Sequence, residues 1–212
     1  MTAQIYDTVA YHNQEYVLLS INGSHLFQPQ LHGVTPATFS TACWRGYHCS
    51  YQVIDELLQL RKLHIGLDEA DTTMAERGEG PCLFGVVPCR YEQRGWMVNS
   101  ETGQLEEVRW SSPEFVYDPL SAAVSFNGGL IIALDFIHDL YMHMGFYPAC
   151  SYKHVHELIF EAGRLVQATD CSTAVAEVRK HVGAQTLGPL TTRGRAELER
   201  SIGRCFSLKY EW

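Results

Sequence analysis

WRGYHCSYQVIDELLQLRKLHIGL, residues 44 to 67, decides the fold class. Two long runs of strand-forming residues flank Asp55-Glu56, so the stretch reads as one long β-hairpin turning at that dipeptide. In its first arm Tyr47, Cys49, Tyr51 and Val53 fall on one face and His48, Ser50, Gln52 and Ile54 on the other. One face is the more apolar, as expected for a strand with a single side against a core.

Working outward, the pattern repeats. EYVLLSINGSHLFQP (15–29) places two apolar runs around Asn22-Gly23, a dipeptide suited to a type I′ turn, and predicts a hairpin there. A loop follows through HGVTPATFST (32–41). DEADTTMAERGEGP (68–81) is acidic and rich in breakers, and is expected to be an exposed connection with at most one helical turn, the best place for a lobe boundary. CLFGVVPCRYE, RGWMVNS and QLEEVRW read as further strands, the last two joined by a turn at Glu101-Thr102-Gly103. Pro88 places its strand at an edge or bulge.

The second half echoes the first. SINGSHL and SFNGGLI align at an offset of 105, CSYQVIDELL and CSYKHVHELI at 101, and the turns Asp55-Glu56 and Glu161-Ala162-Gly163 near 106. An in-line duplication is the reading, with a first β half over 1–110 and a second over 111–212 inside one compact domain. Helix is expected over 172–183, capped by Ser172 and stopped by Gly183, and more weakly over 193–204. FSLKYEW (206–212) reads as a closing strand. IIALDFIHDLYMHMGF (131–146) reads as strand, a helix with Ile132, Phe136, Asp139 and Leu140 on one stripe being the alternative. The expected fold is mainly β, an antiparallel barrel or sandwich of two duplicated halves with one or two short helices.

Composition narrows the function. A net charge of −8 argues against nucleic acid or an anionic membrane as the main partner, because neither is met by an acidic surface. The arginine-dense run at 193–204 is interrupted by Glu197 and Glu199 and reads as a solvated helix face. The start of the chain lacks a basic leader and an apolar run, and no stretch has the ~18 consecutive apolar residues of a membrane span. A cytoplasmic protein is expected. Seven cysteines without a CxxC pair read as small buried hydrophobes in a reducing compartment, so no disulfide and no zinc knuckle is expected.

Thr41, Ala42, Trp44, Arg45, Gly46 and Tyr47 form a Thr-Ala-x-Trp-Arg-Gly-Tyr motif. It resembles that of a poorly characterised group of bacterial proteins, in which the motif opens a long strand that turns back on itself, and DLYMHMGF (139–146) resembles a second signature of that group. The resemblance spans at most a third of the chain. It implies a bacterial, cytosolic, β-rich protein; the group has no established activity, so it supplies no catalytic residue.

Nucleophile-elbow, Walker A, dinucleotide, HExxH and EF-hand motifs are absent, and no cofactor is implied. The histidines cluster: His138, His143, His154 and His156 fall within nineteen residues. Along a strand His154 and His156 share a face with Tyr152, Leu158 and Phe160, the more aromatic and inward one. Three readings stand for that pair: buried or rim histidines bonded to tyrosine or backbone, a polar handle in a ligand cavity or partner surface, and a metal site completed by His138, His143 or Asp139. Trp44, Arg45 and Tyr47 make either a partner-gripping surface or a plug in which Trp44 closes a barrel end and Arg45 covers it. The expected function is a non-catalytic binding protein for a protein partner, an antidote to a toxin being one form, or for a small ligand in a barrel interior. The alternative is a metal-assisted enzyme built on residues 138–156.

Overall fold

A computed structural model describes residues 4–100, 102–141 and 147–185. The chain is mainly β, as the alternation implies. Its strands are β1 (Thr8–Tyr11), β2 (Gln14–Gly23), β3 (Tyr47–Ile54), β4 (Leu57–Ile65), β5 (Cys89–Val98), β6 (Leu105–Tyr117), β7 (Ala122–Ala123), β8 (Gly128–Phe136), β9 (Tyr152–Glu161) and β10 (Arg164–Asp170). Two helices accompany them, α1 (Glu69–Glu76) and α2 (Ser172–Gln185). The sheet runs β10-β9-β8-β2-β1-β3-β4-β6-β5, with β7 against β4. It is mixed, because β1 pairs antiparallel with β2 but parallel with β3.

Two compact units divide the chain, and they interleave along it. One takes residues up to Phe27, Ser50–Leu60 and the chain from Ala123 on; the other takes Gln28–Cys49 and Arg61–Ala122. The chain passes from unit to unit after Phe27, within β3, within β4 and within β7.

In the first unit three tight hairpins are set by left-handed residues. His12 and Asn13 turn β1 into β2 at φ 48° and 61°, Asp55 and Glu56 turn β3 into β4 at 49° and 64°, and Ala162 and Gly163 turn β9 into β10 at 48° and 80°. The hairpin expected at Asn22-Gly23 is thus displaced ten residues upstream. Asn22-Gly23 instead ends β2, where Gly23 lies opposite Gly128 and Asn22 opposite Gly129. The two Asn-Gly dipeptides that align at an offset of 105 are therefore in contact, and Ser24 N–H donates to the Asn127 carbonyl at 2.9 Å. Local turn chemistry gave way to a long-range pairing that only glycine's missing Cβ permits.

A second reciprocal contact lies at the hairpin ends. Arg164 pairs with Leu57, Leu58 N–H donates to the Gly163 carbonyl at 2.8 Å, and Leu165 N–H donates to the Glu56 carbonyl at 2.7 Å. This short seam closes the strands of the unit into a ring, β3-β1-β2-β8-β9-β10-β4, and leaves it unevenly closed. Alternation along the strands builds two layers. Leu18, Leu130, Ile132, Leu158 and Phe160 are buried on one face; Ile131, Ala133 and Val155 on the other join Tyr147, Ala149, Cys150, Tyr152, Cys171 and Val175 in a cluster under α2. Arg179 of α2 donates through its guanidinium to the carbonyls of Cys150 and Tyr152.

Helix α2 begins where expected, but its first amide is held by the Asp170 carboxylate, which accepts from Ser172 N–H at 2.9 Å, while the Ser172 hydroxyl accepts from Val155 N–H. It runs past Gly183 to Gln185. Strand, not helix, occupies 131–136, followed by a short 3-10 turn at His138–Leu140. The expected elements at 193–204 and 206–212 lie outside the described residues.

In the second unit β6 carries β5 on one side and pairs with the far end of β4 on the other, Leu63 facing Tyr117 and Ile65 facing Phe115. The turn between β5 and β6 falls where the sequence puts it. Two helical turns, not one, form at 69–76, because Asp68 caps them by accepting from Asp71 N–H at 2.9 Å and Ala75 is buried.

Candidate functional site

Among the described residues, His138, Asp139, His154 and His156 do not bring their ligand-type atoms together as one cluster. His154 is exposed and faces the carboxylate of Asp135 at 3.4 Å. His156 is half-buried, edge-on to Tyr16 at 5.5 Å and to Tyr11 at 6.1 Å between ring centroids. Burial holds its imidazole below the ordinary pKa. Tyr152 belongs to the cluster under α2, where burial pushes its phenol strongly up. His138 is exposed and meets the ring of Phe136 edge-on at 5.8 Å, and His143 lies outside the described residues. The alternation that put His154 and His156 on one inward face fails at His154, whose position near the end of the strand is open to solvent.

The Trp-Arg-Gly-Tyr segment forms a compact turn in the second unit. Gly46, at φ 75°, brings the backbone against Ala37, whose carbonyl oxygen lies 2.6 Å from where a Cβ would stand. Gly46 N–H donates to the Cys43 carbonyl, and the Gly46 carbonyl accepts from Gly66 N–H at 2.8 Å. Arg45 donates to the Tyr47 carbonyl at 2.6 Å and lies over the ring of the buried Tyr47. Trp44 is 69% exposed, and it is Tyr47 that Arg45 covers.

A polar cluster that the sequence reading missed lies nearby in the same unit. His64 on β4 stands opposite Val116 of β6, and Glu114, two residues earlier on β6, shares that face. His48 comes from β3, and its ring stacks on that of His64 at 4.5 Å and 10°. His48 Nε2 and His64 Nδ1 each lie 3.6 Å from a different oxygen of the Glu114 carboxylate. Tyr91 meets His64 edge-on at 4.7 Å, and Phe39 flanks His48. Glu114 and His64 are buried, and His64 Nδ1 has no hydrogen-bond partner among the described residues. Burial alone would raise the Glu114 carboxyl, but the two imidazoles more than offset this and hold it at about 2.

One signal for this cluster is present in the sequence. His48 and His64 stand seven residues before and eight residues after the Asp55-Glu56 turn, so folding the hairpin at that turn brings them nearly opposite. Glu114 arrives from β6, and nothing local announces that β6 is the neighbour of β4.

The end of the β5–β6 hairpin carries a different kind of surface. Trp96, Met97, Val98 and Leu105 are 60 to 70% exposed. Cross-strand register puts Trp96, Val98 and Leu105 on one face and Met97, Val108 and Trp110 on the other. Trp110 lies across Gly95, and its indole N–H donates to Gln93 at 2.8 Å. Strand β5 ends the sheet order, so its outer edge is unpaired among the described residues.

No helix among the described residues is long and apolar enough to cross a membrane. No protein-family model matches the chain, nor does any curated protein or solved structure.

Proposed function

We propose that the protein is a non-catalytic binding protein that recognises a protein partner through the β5–β6 hairpin. The observation that carries this reading is the run of large apolar side chains exposed on both faces of a hairpin at the end of the sheet. Apolar surface held in water without a partner is unfavourable and marks interaction sites when it is contiguous. The edge of β5, unpaired among the described residues, adds backbone donors and acceptors, which an extended segment of the partner satisfies by joining as a further strand, its alternate side chains meeting Trp96 and Val98. A net charge of −8 favours a partner of opposite sign, and antidote to a basic toxin is the narrower form of the reading.

The test compares the wild-type chain with Trp96→Lys combined with Val98→Thr. The expected result is a partner co-purifying at equal ratio with wild type and lost from the variant at unchanged Tm, with amides of residues 92–98 protected from exchange only in the complex. A partner retained by the variant, or wild-type chains that pair with one another through β5 in its absence, overturns the proposal.

A further inference from the structure

We propose that His48, His64 and Glu114 form a binding site for one divalent first-row transition-metal ion, of which Zn2+ is the natural occupant. The three residues come from three strands of one unit, and their ligand-type atoms all lie within 4.8 Å of one another.

The distances favour an ion between these groups over hydrogen bonds among them. At 3.6 Å both nitrogen–oxygen contacts are longer than an N–H···O hydrogen bond, whose heavy atoms sit about 2.9 Å apart. Donors that surround a tetrahedral ion at about 2.1 Å lie about 3.4 Å from each other, close to the two nitrogen–oxygen separations of 3.6 Å. His64 supplies the independent observation. Its side chain is 9% exposed and its Nδ1 has no hydrogen bond among the described residues, although it lies 3.6 Å from a carboxylate oxygen. A buried unsatisfied nitrogen costs on the order of 1–3 kcal/mol, and a bound cation removes that cost. Glu114, a buried carboxylate with one oxygen toward each imidazole, offers the negative charge that such an ion requires.

The donor set selects the class of ion. Two imidazoles and one carboxylate suit zinc and its neighbours in the first row, whereas calcium and magnesium call for an all-oxygen shell. Three protein ligands leave one tetrahedral position for water or an exogenous donor. His48, at 16% exposure, is the most open of the three. Tyr91 and Phe39 pack against the two rings and hold them in place, as apolar and hydrogen-bonding neighbours do around protein-bound metals.

The experiment is titration of chelator-stripped, full-length protein with Zn2+ alone by calorimetry, and with Co2+ alone by visible absorption. The expected result is one equivalent of saturable binding, a Co2+ d–d band of low-coordinate intensity, and a rise in Tm with Zn2+. Affinity falls at least 100-fold in Glu114→Gln and in His48→Ala, and stays within twofold in His154→Ala with His156→Ala. Should the Glu114 variant not fold, the more exposed His48 substitution carries the comparison. Absence of a saturable equivalent in folded wild-type protein overturns the proposal, as does affinity that survives the loss of His48 or is abolished by the loss of His154 and His156.

Discussion

Gly23 and Gly128 stand opposite each other across β2 and β8, and a Cβ added to either would fall 2.0 Å from the carbonyl oxygen of the asparagine preceding the other. Both have φ values closed to ordinary side chains, 147° and 139°. Gly23→Ala and Gly128→Ala are each expected to destabilise the chain by about 3 kcal/mol or more, because the obstacle is backbone on both sides. Urea unfolding checks this, and a change within about 0.5 kcal/mol for either would show that the strands can separate freely there.

Within the Trp-Arg-Gly-Tyr motif the glycine and the tryptophan are expected to behave oppositely. Gly46→Ala meets the Ala37 carbonyl at 2.6 Å from a residue with φ 75°, and should cost about 2–3 kcal/mol. Trp44→Ala removes an exposed ring and should change stability by less than about 0.5 kcal/mol. Thermal unfolding of the two variants side by side distinguishes a structural motif from a surface one.

Arg179 ties α2 to β9 and the turn before it by donating to two backbone carbonyls. Arg179→Met leaves both acceptors without that partner and is expected to cost about 2 kcal/mol, with faster exchange of the α2 amides. Arg179→Lys should recover only part of this, since an ammonium lacks the planar fork that reaches both oxygens.

Burial depresses the His156 pKa below its ordinary 6.5, with Asp170 opposing the shift. Protons then bind the unfolded chain more readily, so the contribution is fully present above pH 6.5 and is lost as pH falls through the folded value. For a half-buried ring the loss should be less than about 1 kcal/mol after solvent screening. Chemical denaturation between pH 7.5 and 5 should show this slope in wild type and a flatter one in His156→Gln; equal slopes would assign it to other groups.

What the sequence made legible was whatever rests on neighbours along the chain. The Asp55-Glu56 turn, the Ala162-Gly163 turn and the start of α2 all follow from local patterns and are found in place. Asn22-Gly23 misled because its dipeptide chemistry is that of a hairpin turn, while its glycine answers to a partner 105 residues away. His154 and His156 drew attention by proximity in sequence, yet one lies exposed beside Asp135 and the other meets two tyrosines. His48, His64 and Glu114 meet only through the pairing of three strands, and that order is not written in any one segment.

The seam joining Leu57 to Arg164 also bears on how the chain folds. Its partners are separated by 107 residues, and the Gly23–Gly128 contact by 105, whereas the three hairpins turn within two residues each. Closing such long loops costs chain entropy before any contact repays it. Hairpins are therefore expected to form on the microsecond scale and the ring to shut last, giving refolding in milliseconds to seconds, a separation of timescales that stopped-flow fluorescence would resolve.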